Sequence, residues 1–182
     1  METRALVTQP TYNPAQWHAC VDHDYMTCRD GVNCYSYALN APQYYWSVPG
    51  HGFVREVAQE YYREFVAFFE TYAIDAVRRA LLDGAAHDGL LPVDGDDERE
   101  GYYRVALVFA AGNNSDFHWY RQDDSGLWSH KNGWHPATNK DDDGRLITDP
   151  QTATRHDYPI FGGYFLVPNT GIVLTKTFAA AS

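Results

Sequence analysis

Apolar residues recur at helical spacing from Phe53 to Leu82, at Val54, Ala58, Tyr61, Phe65, Phe69, Tyr72, Ala76 and Ala80, with Arg55, Glu56, Gln59, Arg63, Glu64 and Arg79 interleaved. Positions three and four apart share one helix face, so the spacing predicts an amphipathic helix over 53–82, broken near Thr71. A shorter helix is predicted over 33–40. It follows Asp30-Gly31 and is stopped by Ala41-Pro42, because a proline biases the residue before it away from helical backbone. Farther along, apolar runs at Tyr102–Ala110, Phe117–Gln122, Leu127–Lys131, Tyr164–Val167 and Ile172–Phe178 are separated by Gly, Asn and Asp clusters and read as strands. Helices first and strands after predict an α+β fold, with N-terminal helices and a C-terminal antiparallel sheet. Residues 1–32 lack periodicity and read as an irregular segment laid over the domain. The acidic stretch 94–101 offers nothing to bury and reads as a solvated loop.

Composition narrows the class. A chain of 182 residues is expected to be one domain, 1–182, and its 45% hydrophobic content with 14 Tyr, 9 Phe and 5 Trp supplies a large core. The net charge of −10, with no basic cluster denser than Arg78-Arg79, argues against nucleic acid as a partner. No apolar run approaches the roughly 18 residues of a membrane span. Met1 to Tyr12 has neither the basic start nor the apolar stretch of a signal peptide, so a chain that is cytoplasmic as synthesised, or exported by a leaderless route, is expected.

Of the three cysteines, Cys20, Cys28 and Cys34, at least one must stay unpaired within the chain, and a Cys20 to Cys28 disulfide is left open. His18, Cys20, His23 and Cys28 match none of the usual zinc spacings. Asn139 to Gly144 begins like a calcium loop but has Pro150 where the closing Glu belongs, so no metal or cofactor is expected.

Cys34 in the first turn of its helix is placed for thiolate stabilisation by helix N–H groups, and it needs an imidazole from elsewhere. His118 stands on a predicted strand, and His130 on the next one, across Asp123-Asp124-Ser125-Gly126. An odd turn, or a bulge at Gly126, puts both histidines on one face and lets His130 orient His118; an even turn separates them. Asn132 and Asp149 are the alternative orienting residues. Trp119, Trp128 and Trp134 surround these histidines and are candidate walls of a substrate cleft.

Asn33-Cys34 opening a helix, His118 on its strand and Gly126-Leu-Trp-Ser-His130 resemble the NlpC-type branch of papain-like cysteine peptidases. The chain departs from that pattern at Asn33, at Tyr35-Ser36 and at Tyr120. The resemblance implies a papain-like fold and catalysis by Cys34, His118 and His130. It implies an oxyanion held by the Cys34 N–H, with Tyr25 as a side-chain donor. It also implies cleavage of amide or peptide bonds, with the peptide crosslinks or stems of peptidoglycan as leading substrate and an antibacterial effector or lysin as context. A toxin of that kind would have a cognate inhibitor protein. The alternatives are a protein-directed protease, deamidase or acyltransferase, or a non-catalytic aromatic-rich binding module.

Overall fold

The computed structural model describes residues 9–17, 32–42, 44, 46–50, 52–54, 73–112, 115–133 and 135–174. In chain order these hold helix α1 (Cys34–Ala38), strands β1 (Trp46–Val48) and β2 (Gly52–Val54), and helix α2 (Ile74–His87). Strands β3 (Leu91–Val93), β4 (Tyr102–Ala110), β5 (Asp116–Gln122), β6 (Trp128–His130) and β7 (Ile160–Pro168) follow. A short 3-10 turn spans Pro14–Gln16. Strands β3 to β7 form one antiparallel sheet in the order β3-β7-β4-β5-β6, and β1 and β2 form a separate hairpin.

This architecture overturns the expected papain-like fold with N-terminal helices. The described residues are dominated by the five-stranded sheet, with two short helices of 5 and 14 residues, and the class is α+β only loosely. The physical reason lies in how β4 is covered. Tyr103, Val105, Leu107 and Phe109 face a core shared with α1 and α2, while Ala106 and Val108 face a second core built from Tyr120, Trp128, Ile147 and Tyr164. A sheet buried on both faces reads as a continuous apolar run, as Tyr102–Ala110 does.

The helix predicted over 53–82 is divided. Phe53 and Val54 belong to β2, paired with Ser47 and Trp46, and 55–72 lie outside the described residues. Helix α2 then runs on beyond Leu82, because Val77, Leu81, Gly84 and Ala85 continue one buried stripe. Of the last predicted strand, Ile172 and Leu174 are buried without pairing, and 175–178 are not among the described residues.

Two glycines explain the one irregularity of the central pairing. The register of β4 on β7 shifts between Leu107 and Val108, leaving Gly162 as the extra residue of a bulge. A Cβ on Gly162 would stand 2.6 Å from Leu107 Cγ, and Gly163 has φ +136°, so neither position accepts a side chain without strain.

Helix α1 is held at both ends. Asn33 caps its start, its Oδ1 accepting from Ser36 N at 3.1 Å while its Nδ2 donates to the Ser47 carbonyl at 2.7 Å. At the other end Arg121, fully buried on β5, donates to the Tyr37 carbonyl and to Asn40 Oδ1, and pairs with Asp123 at 2.9 Å. Asn40, at φ +52°, turns the chain out of the helix. These anchors fix Cys34 against β5.

Candidate active site

The β5–β6 connection runs from Asp123 to Leu127 between the paired residues Gln122 and Trp128, and Gly126 adopts φ +82°. That odd loop puts His118 and His130 on one sheet face. They sit diagonally, since His130 pairs with Tyr120. The diagonal offset suits two rings of this length: His118 Nε2 lies 2.7 Å from His130 Nδ1, with the rings nearly perpendicular.

The proton positions in this relay follow from its far end. His130 Nε2 is 3.0 Å from the Lys140 carbonyl, which can only accept, so Nε2 carries the proton and Nδ1 is the acceptor. His118 Nε2 therefore donates, and the lone pair of His118 remains on Nδ1. Burial holds both imidazoles below the ordinary histidine range, His118 well below it, with the neighbouring His130 adding to the effect. His118 is thus a neutral ring presenting a basic Nδ1. The Tyr158 ring stacks on it with centroids 5.0 Å apart, and the Tyr158 hydroxyl donates to Asp116 Oδ2 at 3.0 Å.

Cys34 begins α1 as the spacing predicts, and it is 6% exposed. Its Sγ donates to the Phe117 carbonyl at 3.8 Å, beside the backbone that enters His118. Burial, then the charge of Asp116, pushes the thiol far up from its usual range; the N–H groups of Trp119 and Tyr35 and the Lys131 ammonium pull the other way. At rest Cys34 is a neutral thiol. Among the described residues no hydrogen bond joins Cys34 to His118.

The remaining candidates are dispersed. Trp119 is packed in the α1-side core with Cys34, and Trp128 in the opposite core against Tyr164, so both are buried framework. Tyr25, Trp134, Cys20, Cys28, His18 and His23 lie outside the described residues. Asp149 accepts from the Tyr164 hydroxyl and from Gln151 N, away from the relay. The Asn132 carbonyl accepts from His135 N, and among the described residues its side chain makes no hydrogen bond to His118.

Neither a family model nor a solved structure matches the chain. Insoluble matrix shell protein 1 of Ruditapes philippinarum is 36% identical over 160 residues, spanning 88% of this chain and 91% of that protein. The chain belongs to the family of that shell matrix protein.

In this member of the shell-matrix family, sequence reasoning passed over Tyr158, Arg121 and Lys131. Tyr158 comes from an irregular segment with no periodicity, so nothing local signals its stacking on His118. Arg121 and Lys131 carry a usable signal, a charged residue inside an apolar strand run, since full burial of such a residue demands a partner. No helix among the described residues is long and apolar enough to cross a membrane.

Proposed function

We propose that the protein is a cysteine hydrolase of amide or peptide bonds, with Cys34 as nucleophile, His118 as general base and acid, and His130 as the residue that orients it. The single observation that carries this reading is the directional relay from His118 through His130 to the Lys140 carbonyl, which leaves an unprotonated Nδ1 on a histidine whose preceding carbonyl touches the Cys34 thiol. The relay supplies what a general base needs, a neutral ring held in one tautomer by a fixed acceptor.

In the reaction sulfur attacks the substrate carbonyl carbon as its proton passes to His118 Nδ1; at rest the two residues flank β5 from opposite faces with no hydrogen bond between them, so this transfer requires substrate binding to bring them together. The C–S bond forms and the carbonyl oxygen takes up the negative charge. Ser36 N and Tyr37 N are already bound by Asn33 and the Tyr35 N–H is directed at sulfur, so among the described residues the Cys34 N–H is the helix-start donor left for that oxyanion. Collapse breaks the C–N bond as His118 returns the proton to the leaving amine. Water then attacks the thioester by the same route, releasing the acid and restoring the thiol.

Peptidoglycan peptides are the first substrate class to assay. Digests of purified cell wall and of protein, compared by mass spectrometry between wild type and Cys34→Ala, should show a water-addition cleavage in one of them with wild type only. Identical digests would remove the hydrolase reading. A second reading, a component of an insoluble shell matrix, is favoured by the name of the 36% identical relative. It gains ground if wild type and Cys34→Ala are indistinguishable in every digest yet both bind an insoluble matrix.

A further inference from the structure

Lys131 is a lysine with 0% exposure just after β6, the edge strand of the sheet, and nothing in the chemistry above uses it. Its Nζ donates to the Gly133 carbonyl at 2.6 Å, and no carboxylate pairs with it among the described residues. A buried ammonium so sparsely partnered is expensive, and a retained one calls for a negative charge to meet.

The register shows where that charge would form. On β5 and β6, Tyr120 pairs with His130 and Arg121 with Ser129. Continuing that register by alternation, Lys131 falls opposite Trp119, whose backbone N–H is directed at Cys34 sulfur. Side chains alternate along a strand, so His130 and Lys131 leave the same backbone toward opposite faces. His130 goes to the relay, and Lys131 to the α1 side, the side on which neighbouring Ser129 bonds the Tyr37 hydroxyl at 2.7 Å.

We infer that Lys131 is the cationic positioning residue of the Cys34 site, holding the negative charge that appears on sulfur during attack. This rests on the hydrolase reading for its purpose, but the coupling it asserts can be measured without any substrate. The other groups whose charge bears on this sulfur are Asp116 and Tyr120 on β5. His118 on β5 and His130 on β6 stay neutral, Tyr35 and Tyr37 lie on the same helix, and β1 contributes no titratable side chain. Asp116 opposes the thiolate, which leaves Lys131 as the one cation among them that favours it. Burial lowers Lys131 itself to about 8, with Cys34 acting to raise it.

The test is the rate of Cys34 alkylation by iodoacetamide, read by peptide mass mapping across a pH series for wild type, Lys131→Met and Lys131→Arg. Loss of a facing charge typically moves a thiol by about one unit or more, so Lys131→Met should react about tenfold more slowly near pH 7. The difference should shrink as pH rises through about 8, where wild-type Lys131 gives up its proton. Lys131→Arg should keep the wild-type rate near pH 7. A purely structural lysine predicts the reverse, since loosening the site exposes the thiol and speeds its alkylation.

Should Lys131→Met fail to fold, a second neutral variant serves. Lys131→Gln, which keeps a polar end in the same space without the charge, should show the same slowed alkylation near pH 7. Unchanged alkylation in whichever of these neutral variants folds overturns the inference. Coupling present with no cleavage of any substrate would sink the hydrolase reading alone, and cleavage without coupling would sink only the role of Lys131.

Discussion

At the residue scale, the site is defined by which nitrogen holds which proton. His130 needs only an acceptor at Nδ1, at 2.7 Å from His118, so a side-chain carbonyl can replace it. Activity in His130→Asn or His130→Gln is therefore expected to exceed that of His130→Ala severalfold, because only the last frees His118 to turn or change tautomer. Equal kcat in all three variants would remove His130 from the relay. Since His118 must be neutral to act and burial holds it well below 6.5, the acid limb of kcat/KM is expected to lie below the ordinary histidine range. A limb centred near 6.5 would mean a solvated base.

Part of this site could be read from the chain. Cys34 in the first turn followed from the helix start and the proline stop, whereas the Asn33 cap came from the structure and the shared face of the histidines stayed open in the sequence, because it turned on whether the loop is odd or even. The diagonal offset was not legible either, because it depends on which residues pair across the hairpin. Trp119 and Trp128 show the limit most clearly. Strand alternation says that they point to opposite faces, but only the coverings of the sheet reveal that both faces are core.

At the scale of elements, α1 is too short to persist alone, and its position depends on what grips its ends. Arg121 binds Tyr37, Asn40 and Asp123 together while fully buried. Its loss would strand the Asp123 carboxylate, so Arg121→Met is expected to destabilise by about 3–5 kcal/mol, read from the denaturant midpoint. A change below about 1 kcal/mol would mean that the helix is held elsewhere.

Helix α2 offers a contest between two effects. Alanine is favoured over glycine in a helix by about 1 kcal/mol, yet a Cβ on Gly84 would stand 2.4 Å from the Pro49 carbonyl oxygen. That oxygen is backbone, in the turn between β1 and β2, and cannot move aside cheaply. Gly84→Ala is expected to lower the thermal midpoint, and a rise would show that the hairpin yields. The division of the predicted 53–82 helix has a similar origin. Helical periodicity at Phe53 and Val54 was real, but pairing with β1 took these residues into a strand.

At the scale of the molecule, two buried neutral histidines couple folding to pH. Their folded values are depressed, so the unfolded chain binds more protons below about 6.5, and stability falls as pH drops through that window. Asp116 and Asp123 are raised by burial and act in the opposite sense, favouring the fold as pH falls toward their own protonation. The expected outcome is a thermal midpoint that declines from pH 7 to pH 5. The decline should be shallower in a His118→Gln, His130→Gln double variant, and equal slopes would mean that the histidines are not buried neutral in solution.

The central claim is that Cys34 is an acyl-accepting nucleophile served by His118. Pre-steady-state release of nitrophenolate from p-nitrophenyl acetate, with the acetylated residue located by peptide mass mapping, tests it without knowledge of the natural substrate. A burst of about one equivalent per chain is expected, with acetyl on Cys34, absent in Cys34→Ala and strongly slowed in His118→Ala. Acetylation spread over other side chains, or a Cys34 burst of unchanged rate in His118→Ala, would contradict the account.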